Sequence, residues 1–256
     1  MAGAHKKHLG MGIALAISFL VVLFLMFSYI FPKTVDGKPQ NGLQWADEMF
    51  NQLAKGSSYF IPKVAKSNEE FMGKVFSVSI KVGKPEDKPG EGEKRAERAS
   101  KLFTVNPGAK VEVKGAELKI EGDLGLVLKA ALEDADMMFK NEGDKIKAKY
   151  AVAMATDDEK QMFRQWNNVL PKIDKVFKKE GKIEEASIVA QVTKKAIEAS
   201  YNFYKVDAVK VKDKAGLLTF LLVFYVVYTM WWGFAIYYIF NGIGLSMTKA
   251  KVKKEV

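Results

Sequence analysis

The sequence predicts a mainly α-helical membrane protein, with two transmembrane helices flanking an α-rich, α+β extracytoplasmic domain that contains a small β-hairpin. Two uncharged runs carry this reading, Leu9 to Pro32 and Ala215 to Thr248. Each exceeds the roughly 20 apolar residues that cross a hydrocarbon core about 30 Å thick. The third observation is the placement of charge. Apart from the two ends, every charged residue lies between Lys33 and Lys214. Lys6 and Lys7 precede the first run, and Lys249, Lys251, Lys253 and Lys254 follow the second, so both ends are expected in the cytoplasm. The expected order is a cytoplasmic tail at 1–9, a first span at 10–32 and an extracytoplasmic domain at 33–214. A second span at 215–241 and an interfacial segment with a basic tail at 242–256 complete it.

The first span follows His5-Lys6-Lys7-His8 as a signal peptide would. Its apolar core is longer than the usual 7 to 15 or so residues, and Tyr29-Ile30-Phe31-Pro32-Lys33 offers no small-x-small cleavage site. It is therefore expected to remain as a signal-anchor. Gly12 and Ala16, with Ala14 and Ser18, give small-xxx-small spacings that allow another helix to approach closely, although Gly and Ala are also common in spans generally.

In the domain, Asn41 and Gln44 can cap a helix whose apolar positions are Leu43, Ala46, Met49, Phe50 and Leu53, ended by Tyr59-Phe60-Ile61-Pro62. Residues 71–82 fit either a helix capped by Ser67 and Glu70 or a strand through Val75, Phe76, Val78, Ile80 and Val82. The Gly-, Pro- and charge-rich stretch 83–92 reads as a mobile loop. A short helix from Glu93 to Phe103 precedes a hairpin in which Val111 and Val113 face Leu118 and Ile120 across Lys114-Gly115-Ala116. Asp123 then caps a helix through Phe139. Thr156 and Glu159 form a capping box before Met162, Phe163, Trp166, Val169, Leu170, Ile173, Val176 and Phe177, whose 3.6-residue period continues across Pro171 to a stop at Gly181. Beyond it Val189, Val192, Ala196, Ala199, Phe203 and Val206 take alternating three- and four-residue steps, a coiled-coil-like seam for a partner. With no strong breaker between Ile183 and Gly216, this helix is expected to run into the second span.

The second uncharged run is longer than one span needs, and Asn241-Gly242-Ile243-Gly244 is its natural stop. Its aromatic density, including Tyr225, Tyr228, Trp231 and Trp232, exceeds what an anchor requires. Those rings either approach the cytoplasmic interface or pack against partner helices, lipid or a flat cofactor such as a quinone or pigment. No cofactor is assigned.

Composition removes several chemistries. The chain has no cysteine, which excludes disulfides and thiolate metal sites, and its two histidines, His5 and His8, lie in the N-terminal tail. No His-dependent triad or zinc site can therefore form in the domain, nor does a nucleophile-elbow, P-loop or dinucleotide motif occur. The clusters Glu133-Asp134-Asp136 and Asp157-Asp158-Glu159 could hold a hard cation, but neither follows the EF-hand pattern, and the second suits the first turn of a helix. The domain carries 34 basic and 29 acidic residues, a mild excess that suits a solvated surface, and nucleic acid is not an expected partner. The chain has no N-x-Ser/Thr site, consistent with a bacterial inner membrane. Lys253-Lys254-Glu255-Val256 has the form of a dilysine retrieval signal, which positive-inside charge explains equally.

The expected function is a non-catalytic, membrane-anchored accessory or scaffold subunit of a larger complex. Gly12, Ala16, Tyr225, Tyr228, Trp231, Trp232, Val189, Val192, Ala196 and Phe203 are its partner-binding positions, and the partners are integral membrane subunits, the lipid bilayer or a second copy. The alternative is a sensor whose helical domain binds a ligand and signals through a partner, since residues 248–256 leave no room for an output module. A carboxylate-based hydrolase comes third.

Overall fold

The computed structural model describes residues 2–34, 37–83 and 88–245. The chain is mostly helical with one three-stranded antiparallel sheet, and it forms two compact units, residues 1–53 with 209–256, and residues 54–208.

The first unit is built on α1 (Ala2–Phe27) and α10 (Ala215–Gly242), which reach about 39 and 42 Å at helical rise. Both are long and apolar enough to cross a membrane. They pair antiparallel, with His5 Nδ1 2.8 Å from the Asn241 carbonyl and the Phe19 ring stacked on Tyr228. After α1, Phe31 bridges to Gln40 and stacks near Trp45 at the start of α2 (Gly42–Ser57). The capping box expected there is present and reciprocal. The Asn41 amide donates to Gln44 Oε1 at 3.1 Å and the Gln44 amide to Asn41 Oδ1 at 3.0 Å.

The second unit packs α3 (Ile61–Asn68), α4 (Glu91–Val105), α5 (Leu124–Phe139), α6 (Gly143–Met154), α7 (Glu159–Lys179) and α8 (Ile183–Val192) over one face of the sheet. A π-helical turn, Thr193–Glu198, joins α8 to α9 (Ala199–Asn202). The strands β1 (Val75–Lys81), β2 (Ala109–Lys114) and β3 (Glu117–Asp123) lie in the order β1-β3-β2. The expected hairpin pairs Val111 with Ile120 and Val113 with Leu118, and Gly115 turns it with φ +60°. Residues 75–81 take the strand alternative. Phe76, Val78 and Ile80 enter the core while Ser77 and Ser79 face out, a two-residue alternation that no helix can satisfy. Through the center runs α7, unbroken at Pro171, with Phe163, Trp166 and Phe177 buried. Its stop at Gly181 has φ +72°.

Several expectations need correcting. The N-cap of α7 is Asp158, whose carboxylate accepts from the Gln161 amide at 2.9 Å, and not Thr156, whose hydroxyl accepts from Asp158 N at 3.3 Å. Asp is the stronger cap once it sits one position before the first helical residue. Within the 83–92 stretch, α4 already begins at Glu91 after Gly90 at φ +83°, and residues 84–87 lie outside the described residues, as does the basic tail from 246 on. The seam Val189, Val192 and Ala196 is buried in the unit's own core, so it is not a partner surface.

The helix through that seam does not reach α10. It ends at Asn202, and residues 203–210 are non-helical. The cause is a polar latch that periodicity does not reveal. Lys55, only 3% exposed, donates from Nζ to the carbonyls of Val206 at 2.6 Å and Phe203 at 3.1 Å, and to Asn141 Oδ1 at 2.9 Å. Asn141 Oδ1 also accepts from the Lys205 amide at 2.8 Å, and Lys205 takes φ +66°. These bonds hold a left-handed turn where a helix would continue. Lys55→Met should strip three hydrogen bonds from this turn, leaving the Val206 carbonyl only Asn141 Nδ2 and the Phe203 carbonyl only the Val206 amide, and cost about 2 kcal/mol in chemical denaturation, with faster hydrogen exchange at residues 203–206. Unchanged exchange there would refute the latch.

Candidate functional site

The face between α1 and α10 has a regular geometry. Among the residues of α1 withdrawn from the surface, His8, Gly12, Leu15, Phe19, Val22 and Met26 follow alternating three- and four-residue steps. On α10 Leu217, Leu221, Phe224, Tyr228, Trp231, Ala235, Tyr238 and Gly242 do the same, with further half-buried residues beside both rows. This is the spacing of left-handed coiled-coil packing. Glycines set the separation. A Cβ on Gly12 would lie 2.6 Å from the Ile239 amide nitrogen, and one on Gly242 2.6 Å from Leu9 Cα. Where Phe19 lies, aromatic rings fill the gap, 4.1 Å from Tyr228 and 4.7 Å from Trp232.

The expected partner-binding positions therefore separate. Gly12 is buried, Ala16, Tyr228 and Trp231 are half-buried, and the seam that Gly12, Tyr228 and Trp231 belong to is filled by this chain's own second helix. Tyr225 lies outside it, 66% exposed, on one helical face with Leu222, while Trp232, 40% exposed, sits at the edge of the seam with its ring 4.7 Å from Phe19. Phe203 is half-buried with its ring against Phe139. The small-residue spacing signaled a close helix approach; nothing in it said whose helix would come.

The carboxylate clusters are divided by the fold. Asp134 is fully buried and accepts from Trp166 Nε1 at 2.8 Å, Lys149 Nζ at 2.6 Å and the Tyr150 hydroxyl. Asn106 Nδ2 donates to Tyr150 at 2.5 Å. Burial and the Asp134 carboxylate hold the Tyr150 phenol far above its ordinary range, so it stays a neutral donor. This network joins α4, α5, α6 and α7 in the core and has the character of a structural junction. Glu133 and Asp136 line a cleft of about 430 Å³ between α3 and α5, where Asp136 accepts from Tyr59 and from Lys140, both at 2.5 Å. At the start of α7, Glu159 accepts from Tyr204 at 2.8 Å and pairs with Lys147 and Lys205, both at 3.3 Å. Desolvation alone would raise its pKa, but its own backbone amide and these three partners outweigh that and hold it at about 2. Among the described residues no three carboxylates or imidazoles converge to hold a metal.

Compared with protein-family models, curated proteins and solved structures, the chain matches none.

Because Gly12 sets the helix spacing, Gly12→Val should disrupt the α1–α10 pair. The cysteine-free background allows a direct test. Cysteines at 19 and 228 should cross-link readily, and Gly12→Val should slow that reaction by roughly tenfold. Equal rates would show that the glycine is not needed.

Glu159 contributes stability above its unfolded pKa near 4.5, and this contribution is lost as pH falls toward about 2. Glu159→Gln should therefore cost about 1 to 2 kcal/mol at pH 7, allowing for solvent screening, with the gap to wild type closing in acid. A gap constant with pH would remove the electrostatic explanation.

Proposed function

We propose that the chain is a non-catalytic accessory or scaffold subunit of a larger membrane assembly, anchored by α1 and α10 in a bacterial inner membrane. Both ends would be cytoplasmic and the 33–214 domain extracytoplasmic. The antiparallel pairing supports this arrangement, because it brings the start of α1, which carries Lys6 and Lys7, beside the end of α10. No charged side chain occurs from Leu9 to Phe27 or in α10, which argues against an ion or proton pathway through these two helices alone.

The observation that carries the proposal is Tyr225. It lies ten residues, about 15 Å, into α10, far from either interface of a spanning helix. It is 66% exposed, and among the described residues its hydroxyl has no hydrogen-bond partner. Lipid tails can cover an aromatic ring but cannot satisfy a phenol, whereas a neighboring protein helix can do both. The sensor reading draws on the order of span, helical domain and span and on a helix continuous with the second span, and the break at 203–210 takes away the second of these.

The test is mass spectrometry of tagged full-length protein purified in mild detergent, beside a Tyr225→Leu variant. Membrane subunits should co-purify in fixed ratio with wild type and fall by roughly tenfold in the variant. Isolation of both versions alone would sink the proposal.

A further inference from the structure

Of the 40 basic residues in this chain only three are arginine, Arg95, Arg98 and Arg164, and the other 37 are lysine. All three arginines line one cleft of about 440 Å³ in the 54–208 unit. Two helices build it with the same register. On α4 the lining positions are 91, 94, 95 and 98, and on α7 they are 161, 164, 165 and 168, so each helix turns one i, i+3, i+4, i+7 stripe toward the shared space. The walls are fixed from beneath. Phe103 of α4 meets Trp166 of α7 edge to face at 6.1 Å, and Ala96, Ala99, Met162 and Phe163 are buried.

Among the described residues the lining is mostly basic. Lys94 joins the three arginines, of which Arg95 is already engaged, and Glu91 is the one carboxylate among the described lining residues. Its Oε2 already accepts from the Lys88 amide at 3.3 Å. Among the described residues Arg98 and Arg164 form no ion pair. Elsewhere in this unit buried or half-buried carboxylates gather lysines, as Glu159 and Asp134 do. A solvated surface does not explain the choice of residue, because lysine serves that purpose throughout the rest of the chain. Arginine differs by presenting a planar fork of donors that matches two oxygens of one oxyanion. The remaining lining is amide. Gln165, 4% exposed, is locked by donating to the Gln161 carbonyl at 2.8 Å and accepting from Asn168 at 3.2 Å, a rigid polar floor suited to hydroxyl groups.

We propose that this cleft binds a phosphate monoester of a small hydroxylated molecule, with Arg98 and Arg164 gripping the phosphate from opposite walls and the amides of α7 meeting the hydroxyls. The inference does not depend on membrane orientation or on the subunit reading. The phosphate can come from a soluble ester or from a lipid headgroup.

The experiment uses the full chain in neutral-detergent micelles at fixed ionic strength, titrated with inorganic phosphate, glucose 6-phosphate and glucose, and followed by calorimetry and melting temperature. Both phosphates should bind saturably and glucose should not. Arg98→Gln with Arg164→Gln should weaken glucose 6-phosphate by roughly tenfold or more, and the charge-preserving Arg98→Lys with Arg164→Lys by roughly threefold or more, with unchanged circular dichroism. Lys175→Gln with Lys179→Gln, on the same helix outside the cleft, should leave binding unchanged. Short-chain phosphatidic acid in the same micelles separates the sources, since its displacing glucose 6-phosphate identifies a headgroup site and its failure to do so a soluble ester. Absence of saturable phosphate binding would overturn the proposal, as would equal weakening by the Lys175 and Lys179 pair.

Discussion

A carboxylate sealed from water sits where four helices of the 54–208 unit meet. Leaving Asp134 there without partners would cost several kcal/mol, so the surrounding side chains have little freedom in where they point. Donors come from α6 and α7, and Asn106, just past the end of α4, reaches the same network through Tyr150. Asp134 thereby sets the register of α5 against α6 and α7. Asn106, extended before Pro107 where α4 stops, ties that end of the helix to the network through Tyr150. Apolar burial supplies most of the cohesion around it. The network selects one arrangement among the many that an apolar core of this size tolerates.

The α1–α10 pair obeys different physics. If these helices lie in lipid, as proposed, their association gains little from apolar burial, since hydrocarbon surrounds them either way. Close fit has to supply it. Two glycines at one end of the contact, Gly12 and Gly242, bring backbone to backbone, and further along it stacked rings of Phe19 and Tyr228 fill the space. The contact is therefore sensitive to added volume at the glycine end and to lost volume where the rings stack.

How far the sequence revealed this depends on the distance over which each signal acts. Local signals were readable, including the Asn41 and Gln44 capping box, the Lys114-Gly115-Ala116 turn, the Asp123 cap and the stop at Gly181. Each is fixed by residues within a few positions of one another. The α6 helix was missed because Asn141-Glu142-Gly143 resembles a break and its apolar positions Ile146, Tyr150 and Met154 are sparse among lysines. The Lys55 latch could not be read, because it joins positions 86 to 151 residues apart. Candidate interaction residues were legible as faces but not as to what covers them. Val189, Val192 and Ala196 form a true seam, as do Gly12 and Trp231, yet each is closed by the same chain. The arginine cleft did carry a signal, the rarity of arginine against so many lysines, but only the fold brings Arg164 to Arg98.

The inner and outer sides of the helical hairpin answer to separate demands. Steric fit along Gly12, Phe19 and Ala235 leaves little room for change, whereas Leu222 and Tyr225 project outside that fit. In the assembly proposed, substitutions on the outer side can accumulate without loosening the anchor. A lineage of such chains can therefore exchange one binding companion for another over evolutionary time while keeping the same hairpin, with recognition free to drift and insertion held constant.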